Sequence, residues 1–300
     1  MKSSTKNLLA IFFCLSFCNF NSWSQNENKG TWIGFFVGKM NYQGDLNPSS
    51  FKFTNSKVTA ALTIRQTINR WISLKGGLAI GSIEAADRYN RDYLKPRNLS
   101  FYTTIKEASL GMEASLLDLA TKRLTPYVFG SVSIYHFNPW AYDKDGKKVF
   151  LQPLSTEGQG LSQFPKQQPY KLTQFALGFG GGARYAINDN MNIGVEFSQR
   201  KTFTDYLDDV SSVYVDQNTL LQAKGAKAVE MAFRGGELPG GQSYPSHGEQ
   251  RGTPTEMDWY YFFGINFEIK FSAFAQLIKG WKAESSAALH NIRCPKNVLQ

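Results

Sequence analysis

The residues best able to do chemistry are few and scattered. The chain has three histidines, His136, His247 and His290, and three cysteines, Cys14, Cys18 and Cys294. None stands in a His-x-x-x-His, Cys-x-x-Cys or Gly-x-Ser-x-Gly spacing, which would hold zinc or raise a serine nucleophile on a sharp turn. His136 shares a segment with Ser131 and Ser133. A lipid-modifying enzyme can use such residue types, but two common types in one segment define no mechanism. Asp205, Asp208 and Asp209 put three carboxylates within five residues. Oxygen ligands of this kind suit Ca²⁺, yet the EF-hand spacing is not met. A solvated loop helix, or a salt bridge to Arg200 or Lys201, accounts for them more simply. Gly178, Gly180 and Gly182 precede a strand rather than a helix, so they read as a glycine-lined wall or a kink and not as a phosphate cradle. The sequence therefore presents no catalytic, cofactor or metal set, and a non-enzymatic protein without a cofactor is expected.

The elements carrying these residues have period two. In the last apolar segment Trp259, Tyr261, Phe263, Ile265, Phe267, Ile269 and Phe271 are large and apolar, while Gly264, Asn266, Glu268 and Lys270 between them are small or polar. A strand with this alternation has one greasy and one wet face. Eight such segments are expected, at residues 31–42, 57–68, 71–85, 99–117, 127–137, 170–187, 191–200 and 259–271. The first and fifth have glycines and aromatics on both faces, so their facing stays open. Connections alternate in length. Asn69-Arg70, a short stretch ending at Pro126, and Asn188-Asp189-Asn190 are tight. Residues 43–56, 86–98, 138–169 and 201–258 are long. Short turns on one side and long loops on the other, with an even strand number, describe an all-β, eight-stranded antiparallel transmembrane β-barrel. A water-soluble sandwich also alternates, but its loops need not sort by length.

An eight-stranded barrel is narrow and filled by side chains. The parity points Arg65, Lys75, Glu107, Glu113, Arg184, Glu196, Glu268 and Lys270 into the lumen. Both signs are present, and a buried charge without a partner is costly, so a structural ion-pair network is the expectation and an ion or proton pathway the alternative.

Composition agrees. Mean hydropathy is −0.33, and no apolar run reaches the length of a membrane helix. Aromatics make up 14% of the chain, enough for interfacial girdles. Lys2, Lys6 and the apolar stretch 8–18 read as a signal peptide ending at Ser22-Trp23-Ser24, with Gln25 as the mature N-terminus. A membrane anchor or a lipoprotein cysteine at Cys18 are the alternatives. Cleavage removes two cysteines and leaves Cys294 unable to form an internal disulfide. The formal charge falls from +9 to +7, which suits an anionic lipid surface, and no basic stripe with stacking aromatics points to nucleic acid. The expected organisation is a leader at 1–24, a barrel at 25–271 and a tail at 272–300. By strand parity the tail lies on the short-turn side. Its Leu277, Ile278 and Trp281 are candidates for partner contact, or the tail is a frayed end.

Several segments together resemble the PorG-like proteins, outer-membrane barrels of Bacteroidota. They are Asn41-Tyr42-Gln43-Gly44-Asp45-Leu46-Asn47, Pro126-Tyr127-Val128-Phe129-Gly130, His136-Phe137-Asn138-Pro139, Thr156-Glu157-Gly158-Gln159-Gly160, Arg251-Gly252 and Asp258-Trp259-Tyr260. The most specific is the stretch 200–211, with Arg200, Thr202, Thr204, Asp205, Tyr206, Asp208 and Asp209. The resemblance implies an accessory component of a type IX secretion or gliding machinery, associated with a periplasmic ring of PorK- and PorN-like proteins. It brings no catalytic or ligand residues, and no small-molecule substrate. A stand-alone barrel for adhesion or envelope integrity is the alternative, a lipid-modifying barrel enzyme a more distant one.

Overall fold

The computed structural model describes residues 30–49, 55–118 and 122–279. Eight long strands run antiparallel to their neighbours: β1 (Thr31–Gln43), β2 (Lys57–Thr67), β3 (Ile72–Ala86), β4 (Ser100–Ser115), β5 (Leu124–His136), β8 (Thr173–Asn188), β9 (Met191–Thr202) and β10 (Trp259–Lys270). Two short strands, β6 (Trp140–Tyr142) and β7 (Lys148–Phe150), lie between β5 and β8. The long strands pair in sequence order, and β1 closes on β10 from Trp32 opposite Lys270 to Gln43 opposite Trp259. Closure leaves no open edge among the eight, so the main-chain groups bond within the sheet.

The alternation decides which face is which. On β2, Val58, Leu62 and Ile64 are exposed while Thr59 and Arg65 are buried. The two ambiguous strands resolve the same way. In β1, Trp32, Phe36 and Met40 point inward, and Phe35 and Val37 outward. In β5, Tyr127 and Tyr135 point inward, and Val128, Val132 and Ile134 outward. The exposed band of aliphatic and aromatic side chains runs round the barrel. A soluble protein does not hold such a belt in water, whereas a bilayer solvates it. Among the described residues no helix is long and apolar enough to cross a membrane. The chain is a closed, membrane-spanning eight-stranded barrel.

Local chemistry shapes the ends. The Asn69 side chain accepts from the amides of Trp71 and Ile72, both at 2.9 Å, and closes the first tight turn. Asn188 does the same for the amide of Asn190. Gly180 and Gly182 point inward, where a Cβ would strike the carbonyls of Phe197 and Val195 on β9, so this run is barrel wall. The fifth strand begins before Pro126, which lies on its outward face opposite Ala183.

The long loops are more structured than their composition suggests. The β6–β7 hairpin joins the sheet through Trp140 opposite Tyr102. After β9 come two short helices, α1 (Gln217–Lys224) and α2 (Ala226–Ala232). Asp216 caps the first by accepting from Thr219 N at 2.8 Å, and Gly225 at φ 83 breaks the pair. A last helix, α3, covers residues 271–279 directly after β10. The leader at 1–24, the tail beyond 279 and Cys294 lie outside the described residues.

Candidate functional site

The lumen is filled in layers. At the short-turn end Arg184 grips Glu113 with two parallel donors, Nη1 to Oε1 at 2.8 Å and Nη2 to Oε2 at 3.0 Å. Its Nε lies 2.9 Å from Glu268 Oε2, and Arg65 Nη2 lies 2.8 Å from the same oxygen. Asn192 and Asn266 also donate to Glu268, at 3.2 and 3.3 Å. Two guanidiniums and two carboxylates from β2, β4, β8 and β10 thus form a neutral quartet. One step up, Lys75 Nζ is 2.5 Å from Glu196 Oε2, which also accepts from Tyr127 at 2.8 Å. Higher still, Arg200 Nη2 meets Glu107 Oε1 at 2.8 Å, and Tyr260 donates to Glu107 Oε2 at 2.7 Å. Lys270, the remaining lumen candidate, lies at the short-turn rim opposite Trp32.

A cavity of about 60 Å³ lies between these upper pairs, edged by Thr63, Ser109, Ser131 and Ser198. It has room for a few waters and no larger guest. Above it Phe36, Met40, Phe101, Ile105, Tyr135 and Phe262 make a buried aromatic and aliphatic plug.

The loop after β9 closes the mouth. Expected as a solvated helix, it is instead an irregular, buried stretch, with Asp205, Leu207, Asp208, Asp209, Val210 and Ser211 each at 5% exposure or less. Its salt-bridge partner is also different. Arg200 is occupied in the lumen by Glu107, and Asp209 faces Arg251 at 3.8 Å. The physical reason is the supply of donors from remote loops. Tyr42 donates to Asp208 at 2.6 Å, Tyr170 and Thr156 donate to Asp209 at 2.6 and 2.5 Å, and the amide of Leu207 donates to Asp258 at 2.8 Å. Glu157 accepts from the amides of Ser211 and Ser212, both at 2.9 Å, from Tyr206 at 3.1 Å and from Arg251 at 2.8 Å. Thr202 Oγ1 donates to the carbonyl of Asp258 at 2.6 Å and lies 2.9 Å from that of Thr204. The end of the long 201–258 connection contributes Arg251 and Gly252 to this buried assembly. Apart from 126–130, which lies on β5 near its short-turn end, the scattered motif segments therefore converge at the long-loop mouth.

The cap is strongly acidic. Seven carboxylates, on Asp45, Asp87, Glu157, Asp205, Asp208, Asp209 and Asp258, share two guanidiniums, Arg97 and Arg251. Burial, then the charges of Asp208 and Asp45, pushes Asp205 up to about 9. Burial and Asp45 push Asp208 up to about 8, and burial pushes Asp209 up to about 6 against the pull of Arg251. Asp258 is raised well above the usual carboxylate range by burial and by Asp208. No donor reaches either oxygen of Asp205 at full hydrogen-bond geometry, though Ser211 lies close enough to oppose its shift. Among the described residues no three carboxylates, histidines or cysteines are placed to hold a metal ion.

The weak enzyme constellation does not assemble. His136 points outward and bonds Thr173 at 3.0 Å, while Ser131 and Ser133 point into the barrel. Of the tail candidates, Leu277 and Ile278 are exposed on α3, at 64% and 37%, and Trp281 lies outside the described residues. Arg200 is a lumen residue, although the sequence motif assigns it to a loop. Its parity with Glu196 and Ser198 on β9 was the available signal.

A family model described as "Domain of unknown function (DUF6089)" matches residues 5–223. No curated protein matches the sequence. Among solved structures, the chain is similar to Neisserial surface protein A at 9% identity and TM-score 0.40, covering 81% of this chain and 97% of that one. It is similar to the outer membrane protein OprG from Pseudomonas aeruginosa at 9% identity and TM-score 0.39, covering 81% and 98%. Ail, the attachment invasion locus protein of Yersinia pestis, matches at 8% identity and TM-score 0.37, covering 80% and 99%.

Proposed function

The chain belongs to the DUF6089 family, and from that premise we propose that it is a non-enzymatic outer-membrane barrel anchoring a periplasmic assembly of the type IX secretion and gliding kind. The observation that carries this reading is the filled lumen. Three tiers of paired charge, an aromatic plug and a buried cap leave no room for passage or for a substrate. A barrel with no passage and no assembled nucleophile works through its surfaces. The long loops face outward in this reading, and the chain enters and leaves the barrel on the periplasmic side.

The resemblance to PorG-like proteins supplies the partners, PorK- and PorN-like ring proteins. Their contact is assigned to the periplasmic end, formed by the short turns and the tail, with Leu277, Ile278 and Trp281 as the apolar anchor. Apart from 126–130 on the barrel wall, the motif segments sit at the opposite end and are explained by packing, since they build the cap and its rim. Deleting residues 273–300 tests the assignment. The shortened barrel should still migrate as a folded species on unheated detergent gels, lose co-purification with the ring proteins and reduce secretion. A full-length protein that purifies alone under mild solubilisation, together with unimpaired secretion after gene deletion, overturns the secretion role and leaves a stand-alone envelope barrel.

A further inference from the structure

The apolar band ends abruptly at the long-loop side, where a cationic rim borders it. On β1 the outward series Ile33, Phe35, Val37 is succeeded by Lys39. On β4 Met112, Leu110 and Ala108 give way to Lys106, and on β5 Val132 and Ile134 give way to His136, directly opposite Lys106. On β9 Val195 and Phe197 lead through Gln199 to Lys201, whose Nζ lies 5.8 Å from the Trp259 ring. The β6–β7 hairpin extends the wall beside β4. There Lys148 Nζ lies 4.3 Å over Trp140 and 4.8 Å over Phe150, and Trp140 stacks on Tyr102 at 4.7 Å. All four lysines are exposed, and no carboxylate among the described residues pairs with them. The outward acid at this level, Glu84, is already paired with Lys57 at 2.9 Å.

We propose that this rim, formed by Lys39, Lys106, His136, Lys148, Lys201 and Trp140, docks the phosphorylated head group of an outer-leaflet glycolipid. The argument is continuity and charge. The rim is the edge of the lipid-facing wall, so what meets it is a lipid head group. Aromatic rings at this height present flat faces to head-group sugars. Lysines facing outward without internal partners match a negative surface, as juxtamembrane lysines do elsewhere. A zwitterionic head group would leave that charge unmatched. The proposal rests on the outward orientation of the long loops but not on any secretion role.

The test uses the full-length protein in mild detergent, mixed with diphosphorylated lipid A or with phosphatidylglycerol and separated by gel filtration. Lipid A should co-elute and raise the thermal midpoint. The variant Lys39→Gln/Lys106→Gln/Lys148→Gln/Lys201→Gln should bind it more weakly, by roughly fivefold per lysine removed, and salt should weaken the wild type towards the variant. A control, Arg70→Gln/Arg123→Gln at the opposite end, should bind normally. Unheated gels report folding, and Lys148→Gln alone, on the hairpin outside the closed wall, covers a quadruple variant that does not fold. Equal binding by wild type and lysine variants, equal loss in the control, or phosphatidylglycerol held as firmly as lipid A overturns the proposal.

Discussion

The hydroxyl of Tyr42, at the end of β1, donates to Asp208 Oδ2 at 2.6 Å and rests 3.0 Å from Asp258 Oδ1. One hydroxyl proton cannot serve two carboxylates, so a second proton belongs on the acids. Burial keeps it there, raising Asp208 to about 8 and Asp258 well above its usual range.

The cap should therefore loosen as pH rises. Asp205, Asp208 and Asp209 have folded pKa values above their unfolded ones, so the native state binds extra protons. Their contribution is fully present below about 4, the ordinary carboxylate value, and is lost as pH climbs through about 6, 8 and 9. Protection against hydrogen exchange in residues 203–211, taken relative to the intrinsic rate at each pH, should fall over this range while that of the strands holds. Asp205→Asn should flatten the upper part of the profile. Tyr42→Phe, which leaves buried acceptors unmet, should cost the cap about 1–3 kcal/mol at neutral pH. A protection factor that stays flat with pH would mean that these acids are charged and otherwise compensated.

The strands were legible because period two is a local property and the lipid face has to be apolar throughout. The facing of β1 was not, since Phe36 and Phe262 fill the lumen where polar side chains are the usual signal of an inside. The bonding inside the cap was illegible for a different reason. Asp205, Asp208 and Asp209 look like a solvated cluster in a one-dimensional reading. Their donors arrive from far along the chain, Tyr42 from β1 and Thr156 and Tyr170 from the long loop before β8. The α1 helix had a local sign, Asp216 three residues before Thr219 and Gly225 after Lys224, but eight residues is too short a run for periodicity to register.

The lumen quartet makes an asymmetric prediction. Glu268→Leu leaves Arg65 and Arg184 with one carboxylate between them, Glu113, and should destabilise the barrel by about 3 kcal/mol. Ile265→Ser, one face over and 55% exposed, should weaken the lipid contact without touching the quartet. Urea unfolding from vesicles separates the two. An unchanged midpoint for Glu268→Leu would show that the quartet is hydrated and does not need its charge balance.

Protease accessibility reports which end faces outward. Leu238 to Glu249 is largely exposed, whereas 203–211 is buried under Tyr42 and Tyr170. Proteases added to intact cells should cut within 238–249 and spare both 203–211 and the turn at Asn188–Asn190. Cleavage at that turn in intact cells would invert the barrel.

The last prediction separates the cap from the partner surface. Asp208→Ala and Asp209→Ala remove acceptors that hold the cap to β1 and to Tyr170, at the opposite end of the barrel from α3. The eight-stranded closure does not involve these residues. The variants should therefore loosen the long loops to proteases while keeping the folded gel mobility and full co-purification with the ring proteins. Truncation after Ser272 should do the reverse, with an intact cap and no partner. Loss of co-purification on cap variants that remain folded would move the binding site to the long loops. In that case the motif segments would be recognition elements and not packing, and the anchoring would run through the outer face.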